Sequence, residues 1–81
     1  MTMISQYKFT EQYKKAKIRA DMDRQELFYR VRLFHARYRI KPFCHIRLEG
    51  SGVYMRLAGN AEMTLTLRGV RLLLKSLRKM T

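Results

Sequence analysis

Few residues in this 81-residue chain are of types that do covalent chemistry, and their spacing argues against it. Asp21 and Asp23 form the closest acidic pair, but side chains two apart on a helix diverge and would not share a substrate. Cys44 and His45 are adjacent. On a strand they would point to opposite faces, which opposes a joint nucleophile or metal site. His35 is the only other histidine and Cys44 the only cysteine, so a Cys-rich zinc site and an internal disulfide are both excluded. Cys44 is expected to pack as a small buried hydrophobe. Glu49-Gly50-Ser51-Gly52 lacks the Lys-Ser/Thr that completes a nucleotide-phosphate loop, so it reads as a hairpin turn. Its glycines would let backbone N–H groups approach a phosphate. The expectation is a non-enzyme with no cofactor, no metal and no small-molecule substrate.

The chemistry these residues favour is polyanion binding. Eighteen Lys and Arg stand against 6 acids, a formal charge of +12. A fold this small carries such charge at a cost in self-repulsion, which a polyanion removes with a gain from counterion release. Eleven of the bases are Arg, whose planar fork fits phosphate oxygens and stacks on bases. A hydrophobic content of 47% excludes a fully disordered basic tail. Aromatics are interleaved with the charge, from Tyr7 and Phe9 to Phe43 and Tyr54, and exposed ones would stack on unpaired bases. RNA is favoured over duplex DNA, because no compact reading head or dimer signature is present.

The elements that must position these residues are legible in outline: a single small domain, mainly α with a small β-hairpin, elongated and with little independent core. Residues 1–9 read as an extended arm, and 10–39 as a basic helical half with Thr10 as N-cap. Lys14, Lys15, Lys17 and Arg19 lie in its first part. Asp21-Met22-Asp23 interrupts it, and Asp23 with Glu26 has capping-box spacing for a second helix; one continuous helix is the competing reading. Leu27, Val31, Phe34 and Tyr38 fall on one helical stripe, bordered by Arg30 and Arg37 on one side and Arg32 and Arg39 on the other. Pro42 ends this helix at Lys41. Residues 43–58 form the hairpin region, with His45, Arg47, Tyr54 and Arg56 on one face. Ala58-Gly59-Asn60 is a second turn. A C-terminal basic helix over 64–80, beginning near Thr64 or Thr66, buries Leu67, Val70, Leu73, Leu74 and Leu77 and turns Arg68, Arg71, Lys75, Arg78 and Lys79 outward. Gly69 within it marks a close approach, of RNA or of a packed neighbour.

Ala36-Arg37-Tyr38-Arg39, then Cys44, then Gly52-Val53-Tyr54 resemble the small-subunit ribosomal protein S-fourteen family in a diverged organellar form. That family carries an Ala-Arg-x-Arg stretch, an Arg-x-Arg-Cys and a Gly-Val-Tyr turn, and the Cys-to-Gly-Val-Tyr spacing matches without gaps. The resemblance spans residues 36 to 75. Two extra residues separate Arg39 from Cys44, Leu48-Glu49 stands where the family has Gly-Arg, and Arg47 takes the second position of the zinc-binding Cys pair. The resemblance implies a zinc-less structural constituent of the small ribosomal subunit, in a mitochondrial ribosome. It would bind small-subunit rRNA and neighbouring proteins of the subunit head. Arg37, Arg39, Lys41, Gly52 and Tyr54 would be inherited rRNA contacts. From charge alone, Lys14, Lys15, Lys17, Arg19, Arg30, Arg32, Arg47, Arg56, Arg68 and Arg71 join them as RNA-binding candidates. Two other classes compete: a dimeric DNA-binding regulator and a basic amphipathic protein at a membrane surface. No apolar run reaches the length of a membrane span, and no membrane partner is expected.

Overall fold

The computed structural model describes residues 2–81, with side chains from Glu11 onward. The order is α1 (Thr2–Tyr38), β1 (Phe43–Glu49), β2 (Gly52–Leu57), β3 (Glu62–Leu65) and α2 (Leu67–Met80). The chain is mainly helical with one small antiparallel sheet, as its patterning implies. Its extents are 56 × 24 × 15 Å. A 37-residue helix is about 55 Å long, so α1 alone sets the long axis.

For α1 one expectation is corrected and one open choice is decided in favour of a continuous helix. The backbone from Thr2 is helical where an extended arm was expected, and the side chains of that stretch lie outside the described residues. The Asp21-Met22-Asp23 break does not occur. Asp21 pairs with Arg24 on its own helix, and Asp23 with Arg71 of α2, so both carboxylates serve ion pairs instead of capping a new helix. The helix stops at Tyr38, where Arg39 turns left-handed (φ 55°), three residues ahead of Pro42.

The sheet is a meander in the order β1-β2-β3. Gly50 (φ 54°) takes the first central position of a two-residue hairpin turn, where positive φ matches the twist of the strands. The second turn uses Gly59 (φ 87°) and Asn60 (φ 68°). The four-residue β3, which pairs Val53 with Leu65 and Met55 with Met63, extends the expected hairpin by one strand. It occupies the start of the expected 64–80 helix. α2 begins only at Leu67, with the Thr66 hydroxyl accepting from the Gly69 N–H at 3.4 Å.

Both helices run parallel. Leu67 lies near Ala16 and Ala20, Arg71 meets Asp23, Arg78 meets Glu26, and Met80 accepts from the Tyr38 hydroxyl. Leu27, Val31 and Phe34 of α1, Val53 and Met55 of β2, and Val70, Leu74 and Leu77 of α2 form the core. Full burial of each such side chain contributes roughly 1.5–3 kcal/mol. Tyr38, expected in the same stripe, closes its end: its ring tilts onto Phe34 at 4.7 Å while staying 41% exposed. Leu67 and Leu73 are half-buried. On the opposite side of α1, Ile18, Met22 and Tyr29 are 60%, 65% and 57% exposed.

Cys44 is exposed, contrary to expectation: a register shift between Phe43 and His45 displaces it, and its thiol lies 3.6 Å from the Lys41 carbonyl. Gly52 also departs from its expected role. It is buried, and a Cβ there would collide with the Leu65 carbonyl, so the glycine admits the neighbouring backbone and not a phosphate. Gly69 likewise faces a packed neighbour, the Leu65 side chain at 3.2 Å from a Cβ built there. Gly52→Ala should therefore lose about 1–3 kcal/mol or more in urea denaturation, since backbone must move to admit the methyl. A wild-type midpoint for Gly52→Ala would contradict this packing.

Candidate nucleic-acid interface

Every ion pair among the described residues uses an arginine. Asp21 holds Arg24, Asp23 holds Arg71, Glu26 holds both Arg30 and Arg78, and Glu49 holds Arg47. No described lysine has a carboxylate within ion-pair distance. The few acids are thus spent mainly where α1 faces α2 and where the hairpin turn meets α1, and the rest of the positive charge is left open to solvent.

This division sorts the expected contact residues. Lys14, Lys15, Lys17 and Arg19 are all exposed. At about 100° per residue they spread around α1 instead of forming one line, so this half of the helix is basic on several sides. Arg32 is exposed beside β1 and borders a cleft of about 390 Å³ with His35, Phe43 and His45. Arg37 lies over the Tyr38 ring at 5.8 Å. Arg39 and Lys41 are exposed in the link to β1, Arg56 on β2 and Arg68 in the first turn of α2. These residues do not converge on one pocket; they cover the long helix, the α1–β1 link, the sheet and the start of α2.

Three expected contacts have other work. Arg30 is half-buried between Glu26 (3.3 Å) and the Thr81 hydroxyl (3.3 Å). Arg71 donates to Asp23 at 3.0 Å while remaining half exposed. Gly52 is enclosed as described. Sequence reasoning passed over Lys75 and Lys79 as contacts, although both are exposed on α2 without an acid. Their spacing with Arg68 and Arg71 along one helix was the available signal. It also missed Arg24, which is 9% exposed. Its guanidinium donates to the carbonyls of Gly50 (3.0 Å) and Gly52 (3.4 Å) and pairs with Asp21, clamping the hairpin turn onto α1.

The sheet has one covered face. Val53 and Met55 point into the core, so Tyr54 and Arg56 point away. Strand register sets Arg47 opposite Tyr54 and His45 opposite Arg56, placing all four on the open side as expected. The Arg47 guanidinium lies 4.4 Å from the Tyr54 ring centroid, and the His45 ring meets Tyr54 edge-on at 6.2 Å. Glu62 is the main cause pushing the Tyr54 hydroxyl above its usual range. Burial, helped by the positive charge of Lys41, holds His35 below the usual histidine value. Among the described residues no group of three or more His, Cys, Asp or Glu side chains gathers, and no helix is long and apolar enough to cross a membrane.

The hydrogen bond from Arg78 is the largest influence on Glu26; with Arg30 it outweighs burial and holds the carboxyl at about 2, against an ordinary 4.5. A depressed carboxylate stabilises the folded state fully above about pH 4.5, and that stabilisation disappears as the pH falls toward 2. The urea midpoint should therefore drop between about pH 5 and 2.5. Glu26→Gln should lower the midpoint at neutral pH and flatten this acid limb, and an unchanged acid limb would show that Glu26 does not join the helices. Comparison with protein-family models, with curated proteins and with solved structures finds no match for this chain.

Proposed function

We propose that this chain is a structural RNA-binding protein of a small ribosomal subunit, in a mitochondrial ribosome, holding rRNA of the subunit head through its unpaired lysines and arginines. The observation that carries the reading is the separation of charge. Among the described residues the acids mainly tie arginines where α1 meets α2 and the hairpin turn, while other basic side chains on α1, the α1–β1 link, the sheet and α2 have no carboxylate partner. A 56 Å body with bases distributed over it suits many phosphates along a folded RNA better than one small ligand. The ribosomal assignment draws on Ala36-Arg37-Tyr38-Arg39, Cys44 and Gly52-Val53-Tyr54, which resemble the S-fourteen family. The exposed Ile18, Met22 and Tyr29 offer an apolar stripe that a neighbouring head protein would cover.

Two measurements test this reading. The protein should co-sediment with small ribosomal subunits and be released by high salt; sedimentation apart from subunits at low salt would overturn the ribosomal assignment. Affinity for an rRNA fragment should fall linearly on a log–log plot against salt. Replacing Lys14, Lys15, Lys17 and Arg19 together by Ala should reduce the slope by about 3 if all four meet phosphates of single-stranded RNA. A slope near zero for the wild-type chain would remove RNA binding altogether. Equal or tighter binding to duplex DNA at the same salt, with a stable homodimer, would favour the DNA-regulator reading.

A further inference from the structure

The open face of the sheet is chemically unlike the other basic surfaces. Its side chains are charged, aromatic or short, and the apolar residues of β2 all point the other way. A protein partner that docks by apolar burial finds nothing there to bury. Arg47 is also held in place on two sides. The Tyr54 ring lies beneath its guanidinium at 4.4 Å, and the Glu49 carboxylate meets the same group at 3.5 Å. Its side chain is nevertheless 59% exposed. The outcome is a planar cation set over an aromatic ring on the open side of the sheet and still largely open to solvent.

We infer that Arg47 on Tyr54, with His45 beside them, is a stacking platform for an unpaired RNA base. The inference rests on the RNA-binding reading and narrows it to a kind of RNA. A guanidinium plane and an aromatic ring take up the π-face of a splayed base, which a base inside a duplex does not present. The two carboxylates near the platform, Glu49 beside Arg47 and Glu62 opposite Arg56, disfavour a phosphate there and accept N–H groups of a base edge. The platform therefore selects bases, while the flanks of α1 take the backbone. Glu49 stands where the S-fourteen family has an arginine, and here its carboxylate accepts from the Arg47 guanidinium at 3.5 Å.

The test uses the full chain and two RNA hairpins, one with 2-aminopurine unpaired in the loop and one with it paired in the stem. The wild-type protein should quench the loop probe on binding and leave the stem probe unchanged. Arg47→Lys keeps the charge but removes the plane. It should abolish the quenching and weaken loop-RNA binding by about 5- to 100-fold, leaving the salt slope and stem-RNA affinity as in the wild type. Tyr54→Leu should behave likewise, and Tyr54→Phe should retain the quenching. Arg47 is at an exposed position, so its variant remains informative even if Tyr54→Leu fails to fold. Wild-type quenching by Arg47→Lys, or equal quenching of loop and stem probes, would overturn the platform while RNA binding stands. Failure of both hairpins to bind at low salt would instead remove the RNA reading itself.

Discussion

Two cationic helices lie side by side and parallel in this protein, and that arrangement turns on Glu26. Its carboxylate accepts from Arg30 on its own helix and from Arg78 on α2, and Asp23 makes the parallel connection to Arg71 one turn earlier. These pairs are partly exposed, so their net contribution is small beside that of the buried Leu27, Leu74 and Leu77. Their role is to remove a repulsion. Without them the apolar stripes of α1 and α2 would meet only by bringing uncompensated guanidinium groups together. The core supplies the attraction, and two carboxylates along α1, Asp23 and Glu26, make that attraction usable.

The same economy accounts for the surface. A chain with this few acids has little left to neutralise charge elsewhere, and the solvent faces of α1, the α1–β1 link and α2 remain basic as a direct consequence. Under the proposed reading the long helix supplies charge at many points and the sheet supplies a flat face. The two act on different parts of an RNA. Arg24 connects them, because the guanidinium that binds the Gly50 and Gly52 carbonyls fixes the hairpin against α1.

What could be read from the sequence was periodic. Leu27, Val31 and Phe34 recur at helical spacing, as do Val70, Leu74 and Leu77, and these six supply most of the core. Alternation in 43–57 announced the hairpin and put His45, Arg47, Tyr54 and Arg56 on a common face. What could not be read depended on distant partners. Asp23 resembles a cap until Arg71 arrives from 48 residues away. The strand Glu62–Leu65 is too short to announce itself and exists by pairing with β2. Gly52 signals a close approach, but only the fold says that the neighbour is the Leu65 backbone. Charge on an arginine is visible in the sequence. Whether that arginine is tied to a carboxylate is a tertiary fact, and it separates Arg30 from Arg32.

The parallel course of α2 has a consequence for how the chain is made. α1 is complete once Tyr38 has been added, yet the stripe along it is covered chiefly by Leu74 and Leu77 of α2, which follow only after the whole sheet. The last contacts, Arg30 to Thr81 and Tyr38 to Met80, join positions 51 and 42 residues apart. Local helix formation precedes such long-range closure. During synthesis the long helix therefore emerges with its apolar side open, and core closure awaits α2. Removing the residues from Leu77 onward would take away a core side chain and the Met80 and Thr81 contacts together, opening the apolar stripe of α1.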